Sequence, residues 1–239
     1  MNSWKKALKA AFPVTIPVLL GYLFIGIAFG VLLQNKGYHF GWAVLMSLCV
    51  YAGSMQFVAI NFFVPGVNFI SVILMTLMVN ARHVFYGLSM LQPFQKMGRL
   101  KPYMIFSLTD ETYSLLCGAK VPEGVEHNRF FFCISLLDQL YWIAGSALGG
   151  IAGSLLTFDT TGIDFAMTAL FVVIFVEQWL AGGSKFPALT GVGAALLCLV
   201  VFGPDNFILP AMGAIVLLLL AGRRLAEKDA AEQGKGEDV

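Results

Sequence analysis

This chain contains a series of apolar segments, most of them long enough to cross a lipid bilayer. They lie at residues 11–33, 42–63, 67–91, 103–118, 130–156, 162–181, 187–203 and 206–222. A transmembrane helix needs roughly 20 consecutive apolar residues, and a helix satisfies its own backbone polar groups in lipid. The sequence therefore predicts an all-α, polytopic helical membrane protein with about 6–8 apolar segments, some of them broken or re-entrant.

The composition leaves little room for a soluble domain. Hydrophobic residues make up 58% of the 239 residues and charged residues only 12%, too few to cover a water-soluble surface. Membrane lipid is the expected surrounding. The formal net charge of +1 provides no basic surface for a nucleic acid. The spacing of the four cysteines fits no metal site, and we expect neither a metal nor another cofactor.

The ends of the chain differ from the region between them. Residues 1–10 carry Lys5, Lys6 and Lys9 ahead of the first apolar segment, and we expect a cytoplasmic N-terminus followed by a retained first helix. We expect residues 11–222 to form a single transmembrane domain. Residues 223–239 are polar and mixed in charge, which is typical of a disordered tail.

The distribution of positive charge conflicts with a simple topology. If all eight apolar segments crossed, a cytoplasmic N-terminus would place the basic loop 92–102 outside, against the positive-inside rule. The conflict disappears if one segment within 42–91 is re-entrant or broken and segment 103–118 does not fully cross. Both termini and residues 92–129 are then cytoplasmic. Interrupted backbone at membrane depth is tolerated where it is buried in protein or lines a cavity.

Polar residues inside segment 67–91 indicate a site. Asn80, Arg82 and His83 stand almost side by side in "VNARHVFYGLSM", residues 79–90. Arg82 alone could extend its side chain towards the interface. Its neighbours are too short to do so, and an intramembrane cation costs at least ~2.5 kcal/mol unless it is paired or hydrated. We therefore interpret this cluster as a paired or functional site.

Acidic partners occur in three other segments. Asp110 and Glu111 lie in 103–118, Asp138 lies in 130–156, and Glu177 lies near the end of 162–181. Glu177 also fits an interfacial position beside Trp179. The four carboxylates outnumber the single permanently charged cation, Arg82, so some acidic groups have no cationic partner. Such groups at membrane depth can carry a proton.

A second polar cluster lies in "YAGSMQFVAI", residues 51–60. Tyr51, Ser54 and Gln56 surround Gly53, and this mixture suits an unwound stretch whose backbone faces a ligand. Hydrogen bonding between helices is the alternative. Glycines spaced four apart, at Gly26 and Gly30 and at 145, 149 and 153, predict close packing within the chain or, alternatively, with a second chain.

Other classes of function remain open at this point. His83 and Ser89 could suggest an intramembrane hydrolase, but a catalytic dyad usually joins separate helices, and we assign no catalytic residue. A passive channel or small-anion pore lined by Arg82 and His83 is a further alternative, as is a structural subunit whose partner does the transport.

The motifs "YAGSMQF", "VNARHVFYGLSM" and "LTDETYSL", in this order, resemble the AzlC family. "FVEQW" and "FPALTGVGAAL" continue the resemblance, which covers roughly residues 10–222. The resemblance implies that the transmembrane domain is a transport domain in the bacterial inner (plasma) membrane. It also implies a secondary exporter of branched-chain amino acids. The exporter would be the large subunit of a two-component system, with a small AzlD-type membrane protein as its partner.

The resemblance supplies no residue roles, so the candidate site rests on chemistry. We expect Arg82, oriented by Asn80, to receive the carboxylate of an aliphatic amino acid, with His83, Tyr51, Ser54 and Gln56 around it. Phe57 and Phe85 would hold the aliphatic side chain. Asp138 or Asp110, and otherwise Glu111 or Glu177, would receive the ammonium group or carry a coupling proton.

Overall fold

The computed structural model describes residues 3–155, 165–180, 185–203, 207, 210–211 and 213–222. These residues form α-helices and one 3₁₀ turn, and no strand occurs among them. The all-α prediction is confirmed. The helices are α1 Ser3–Asn35, α2 Phe40–Cys49, α3 Gly53–Ile60, α4 Phe69–Asn80, α5 Arg82–Ser89, α6 Leu91–Gln95, α7 Lys101–Phe106, α8 Asp110–Gly118, α9 His127–Leu155, α10 Phe165–Leu180, α11 Phe186–Phe202 and α12 Gly213–Gly222; the 3₁₀ turn is Gly98–Leu100.

Three stretches of the described residues are long and apolar enough to cross a membrane. They are Ser3–Asn35, Phe69–Ser89 and His127–Leu155, the second of which joins α4 and α5. The chain divides into two compact units, residues 1–168 and 169–239. All three stretches belong to the first unit, which also contains every candidate site residue except Glu177.

The first unit is built on the packing of α1 against α9. A methyl group added to Gly30 would lie 2.2 Å from the backbone oxygen of Ser146, and one added to Gly149 would lie 2.1 Å from that of Ile27. Only glycine permits backbones to approach this closely. The prediction that these glycines pack within the chain is therefore confirmed.

Three apolar segments of the sequence are interrupted in the structure. Segment 42–63 is divided into α2 and α3, segment 103–118 into α7 and α8, and segment 67–91 turns at Ala81 between α4 and α5. At a rise of about 1.5 Å per residue, neither α7 nor α8 could cross a bilayer alone. The breaks expected around residues 51–56 and within 103–118 are thus present.

In the second unit, α11 begins near aromatic and basic side chains. Lys185 Nζ lies 5.0 Å from the centroid of the Trp179 ring, and Trp179 lies 6.0 Å from Phe175, centroid to centroid. Gly222, at the end of α12, lies against the ring of Phe186. The predicted tail, 223–239, and the side chain of Glu177 lie outside the described residues.

Candidate functional site

The break between α2 and α3 places Tyr51 in an unusual backbone conformation. Its φ is 42°, in the left-handed region that a non-glycine residue enters at a cost of order 1–3 kcal/mol. The following helix begins at Gly53, where a methyl group would lie 3.0 Å from the Trp142 ring of α9. This close approach positions Tyr51 and Ser54 beside the core of the unit. The Tyr51 hydroxyl is buried there, near Thr112 of α8 and Asp138 of α9.

Arg82 is paired. Its Nη1 lies 2.8 Å from Oδ2 of Asp110, the first residue of α8, and the two side chains are each 23% exposed. Its Nη2 donates a hydrogen bond to the Ser54 hydroxyl. The Arg82 Nε and the Asp110 Oδ1 are buried and have no partner within the described part of the chain. The pair therefore retains one unused donor on Arg82, and the Asp110 carboxylate also has the Tyr86 hydroxyl near it.

Asn80 and His83 do not hold the guanidinium. The Asn80 side chain donates to the Thr76 carbonyl one turn earlier, at 2.9 Å, and His83 Nδ1 donates to the Asn80 carbonyl at 3.2 Å. Both residues instead line a cavity that adjoins the break. The expected orienting role of Asn80 is filled in the structure by Ser54 and Asp110.

The cavity encloses about 530 Å³, within the range of small-molecule pockets, roughly 300–1,000 Å³. It is lined by Val50, Tyr51, Ala52, Met55, Thr76, Asn80, His83, Gly87, Met90, Leu91, Phe94, Lys101, Ile105, Phe106 and Leu108. Most of these side chains are apolar; the polar ones are Tyr51 at the break, Thr76 and Asn80 of α4, His83 of α5 and Lys101 at the start of α7. The arrangement suits a small ligand with an aliphatic body and a polar end.

Asp138 lies in a different group of side chains. It is fully buried in α9, and its Oδ2 accepts a hydrogen bond from the Thr112 hydroxyl at 2.8 Å. The Thr112 hydroxyl lies 3.1 Å from that of Thr109, which lies 2.7 Å from the Tyr22 hydroxyl. The Tyr22 hydroxyl in turn lies 2.7 Å from Oε2 of Glu111. A continuous line of oxygens thus joins Glu111 to Asp138.

Three consecutive residues of α8 reach three different helices. Asp110 pairs with Arg82 of α5, Glu111 contacts Tyr22 of α1, and Thr112 contacts Asp138 of α9. The Thr109 hydroxyl caps this helix by accepting a hydrogen bond from the Thr112 backbone N–H at 3.3 Å. The first turn of α8 therefore connects the Arg82 pair to the Asp138 group.

Gln56 has a structural environment. Its Oε1 accepts from the Trp142 indole N–H at 2.9 Å, and its side-chain amide donates to Ser47 at 3.3 Å. Ser47 in turn donates to Ser146 at 2.9 Å. This is the hydrogen bonding between helices that the sequence left open as the alternative for the 51–56 cluster.

The two predicted aromatic residues are not in the cavity lining. Phe57 is buried against Phe29, with ring centroids 5.7 Å apart. Phe85 points outward and is 71% exposed. The aliphatic walls come instead from residues such as Met55, Leu91 and Ile105.

Sequence reasoning missed Tyr22, Thr109 and Thr112. A signal for the threonines was present, because "TDE" places a preferred N-cap residue before two acidic residues, which is typical of a helix start. That pattern would have predicted a helix beginning at Asp110. Nothing in the sequence alone indicated that Tyr22, deep in a long apolar helix, faces α8.

Comparisons with known proteins agree with one another. The family model described as "AzlC protein" matches residues 17–156. The branched-chain amino acid transport protein AzlC of Bacillus subtilis (strain 168) is 46% identical over 93% of this chain and 87% of that protein. An uncharacterized membrane protein of Helicobacter pylori (strain ATCC 700392 / 26695) is 44% identical over 95% of this chain and 100% of its own length. The inner membrane protein YgaZ of Escherichia coli (strain K12) is 26% identical over 77% of this chain and 76% of that protein. No solved structure matches the chain.

Proposed function

Because the chain belongs to the AzlC family of membrane transport proteins, we propose that it is a secondary transporter that exports branched-chain amino acids. Valine, leucine and isoleucine are the expected substrates, and the cytoplasm is the compartment they leave. The name of the Bacillus subtilis relative supports the substrate class, and that of the Escherichia coli relative supports the inner membrane as the location.

The observation that carries the proposal is the Arg82–Asp110 pair, together with a cavity of about 530 Å³ that is lined by Asn80 and His83, although not by the pair itself. A zwitterionic amino acid presents one carboxylate and one ammonium group. When it binds, its carboxylate pairs with Arg82 and its ammonium group pairs with Asp110. The Arg82–Asp110 ion pair is thereby replaced by two ion pairs with the substrate. No charge is left unpaired in either state, which matters because an unpaired charge at this depth is costly.

The coupling ion in this proposal is the proton. Asp138 is fully buried, and its Oδ1 has no partner among the described residues. Glu111 lies at the other end of the same line of oxygens, on the helix that carries Asp110. Asp138 and Glu111 are therefore better placed to bind a proton than Asp110, which is engaged by Arg82.

The proposal includes a small AzlD-type membrane subunit as partner. The stretch Phe69–Ser89 supports this part. It is long and apolar enough to span a bilayer, carries Arg82, and has no buried residue in α4 or α5. A spanning helix that positions a site but is little packed within its own chain has surface available for a second subunit.

The test is counterflow of labelled leucine in proteoliposomes, with and without the small subunit. Unlabelled leucine inside should drive accumulation of label, whereas leucinamide, which lacks the carboxylate, should not. Chloride conductance without counterflow would indicate the passive anion pore and contradict the proposal. Counterflow only when both subunits are present would support the two-component assembly.

A further inference from the structure

The line of oxygens between Glu111 and Asp138 has four contacts and only three hydroxyl groups. The contacts are Glu111–Tyr22, Tyr22–Thr109, Thr109–Thr112 and Thr112–Asp138, at 2.7, 2.7, 3.1 and 2.8 Å. Each hydroxyl can donate one hydrogen bond, and an ionised carboxylate can donate none.

With both carboxylates ionised, three protons cannot fill four contacts. One contact would then be formed by two oxygens facing each other without a proton between them. Such an arrangement is unfavourable in a buried network, where each unsatisfied polar group is costly. One additional proton on either carboxyl group fills the fourth contact, and a second added proton would have no contact left to fill.

We propose that Glu111 and Asp138 share a single proton through the hydroxyls of Tyr22, Thr109 and Thr112. When the proton is on Glu111, every hydroxyl donates towards Asp138; when it is on Asp138, every hydroxyl donates towards Glu111. In the transfer between these states each hydroxyl oxygen gains one proton and loses one. No other reactant is needed, and the total number of protons and charges is unchanged.

The surroundings of the two ends differ. Asp138 is within electrostatic reach of the hydroxyls of Tyr51 and Tyr103, which carry no charge, whereas Glu111 lies near Asp110 and Arg82. Because Arg82 is paired with Asp110, the two ends are more evenly balanced than they would be beside an unpaired cation. A change in the Arg82–Asp110 pair on substrate binding would shift the shared proton, since Asp110 is adjacent to Glu111.

The use of the shared proton in coupling rests on the proposed function, but the sharing itself does not. The sharing of the proton is tested by infrared spectroscopy of the purified protein in liposomes at neutral pH, using the carboxylic acid carbonyl band. The baseline is the Glu111→Gln/Asp138→Asn double variant. Against this baseline the wild type should show carboxylic acid absorption equal in intensity to one protonated carboxyl group, divided between Glu111 and Asp138.

Either single substitution should abolish the band completely. An amide supplies an N–H donor at its end of the line, so the fourth contact is filled and the remaining carboxylate stays ionised. Loss of the band in only one single variant would show a proton localised on that residue. Persistence in both, or no band in the wild type, would also overturn the inference.

Thr109 provides a second test with a matched control. Thr109→Val divides the line into two pairs, Tyr22 with Glu111 and Thr112 with Asp138, each filled by one hydroxyl proton, so the band should disappear. Thr109→Ser preserves the hydroxyl and should retain the band. A band that survives Thr109→Val would contradict sharing. Failure of leucine counterflow, by contrast, would overturn the proposed function but would not change the infrared results expected for proton sharing.

Discussion

At the scale of single residues, Arg82 is the side chain on which the proposed substrate site depends. Its guanidinium contacts Asp110 and Ser54 through different nitrogens, which requires a planar, branched group. A lysine ammonium is a compact charge that cannot reproduce that geometry or bind a carboxylate through two parallel hydrogen bonds. The nature of the cation, and not only its charge, should therefore matter.

We expect Arg82→Lys to remain in the membrane but to weaken leucine binding by roughly 2–5 kcal/mol, the range for breaking a buried charge pair. Binding to detergent-purified protein, measured by calorimetry beside Arg82→Ala, checks this. Leucinamide should distinguish poorly between the wild type and the variant. A lysine variant with full affinity would show that Arg82 only reaches towards the membrane interface and does not bind the substrate.

Asp138→Asn should separate exchange from uphill transport. The amide can still accept the hydrogen bond that Thr112 now donates, so packing is preserved, but the group no longer binds a proton. Leucine exchange in proteoliposomes should continue, whereas accumulation driven by a pH gradient should be lost. Normal pH-driven accumulation by this variant would show that the coupling proton binds elsewhere.

The sequence predicts a site residue when its own side chain is unusual for its segment, and fails when the role depends on a contact with a distant part of the chain. Arg82 and its acidic partners were identifiable because a charge in an apolar segment is conspicuous at any position. The roles of Gln56 and Phe57 were not, because an amide or a ring can face a cavity or a neighbouring helix equally well. The structure gives them Trp142 and Phe29 as neighbours, contacts that join residues far apart in the sequence.

At the scale of helices, the α1–α9 pair carries the packing of the first unit. The glycine spacing predicted a close helix pair, but spacing alone could not say which helices meet. The breaks in 42–63 and 103–118 were predicted from the charge distribution and polar content, whereas the division of 91–106 into α6, a 3₁₀ turn and α7 was not. Short helices of this kind have too few turns for apolar periodicity to reveal.

Gly149→Ala should destabilise the protein, because the new methyl group would meet the Ile27 backbone at 2.1 Å. Overpacking of this kind typically costs about 1–3 kcal/mol. Thermal unfolding in detergent should show a clearly lower Tm. The matched control is Gly21→Ala in α1, where nothing lies within 4 Å of the added methyl group. Equal Tm values for the two variants would contradict the packing described for α1 and α9.

At the scale of the whole molecule, the orientation in the membrane follows from the basic residues at Lys96, Arg99 and Lys101. We propose that loop 92–102 is cytoplasmic. This orientation requires an interrupted segment before the loop, and the structure has interruptions at both Tyr51 and Ala81.

Cysteine labelling in a cysteine-free background tests this orientation. Gln95→Cys should resist a membrane-impermeant thiol reagent added to whole cells, whereas Lys36→Cys, in the loop after α1, should react. Both positions are exposed in the structure, so a difference in labelling reports the side of the membrane and not burial. Reaction of Gln95→Cys from outside would rule out the re-entrant arrangement.

The glycine contacts between α1 and α9 also restrict how the protein can move. Two helices whose backbones touch cannot slide past each other without collision, so we expect this pair to stay fixed when other parts of the first unit move. A methyl group added at Gly87 of α5 or Gly118 of α8 would meet nothing within 4 Å, so these helices lack such contacts and are held by side chains. We propose that transport exposes the cavity to the two faces of the membrane in turn by displacement of α5 and α8 relative to the α1–α9 pair.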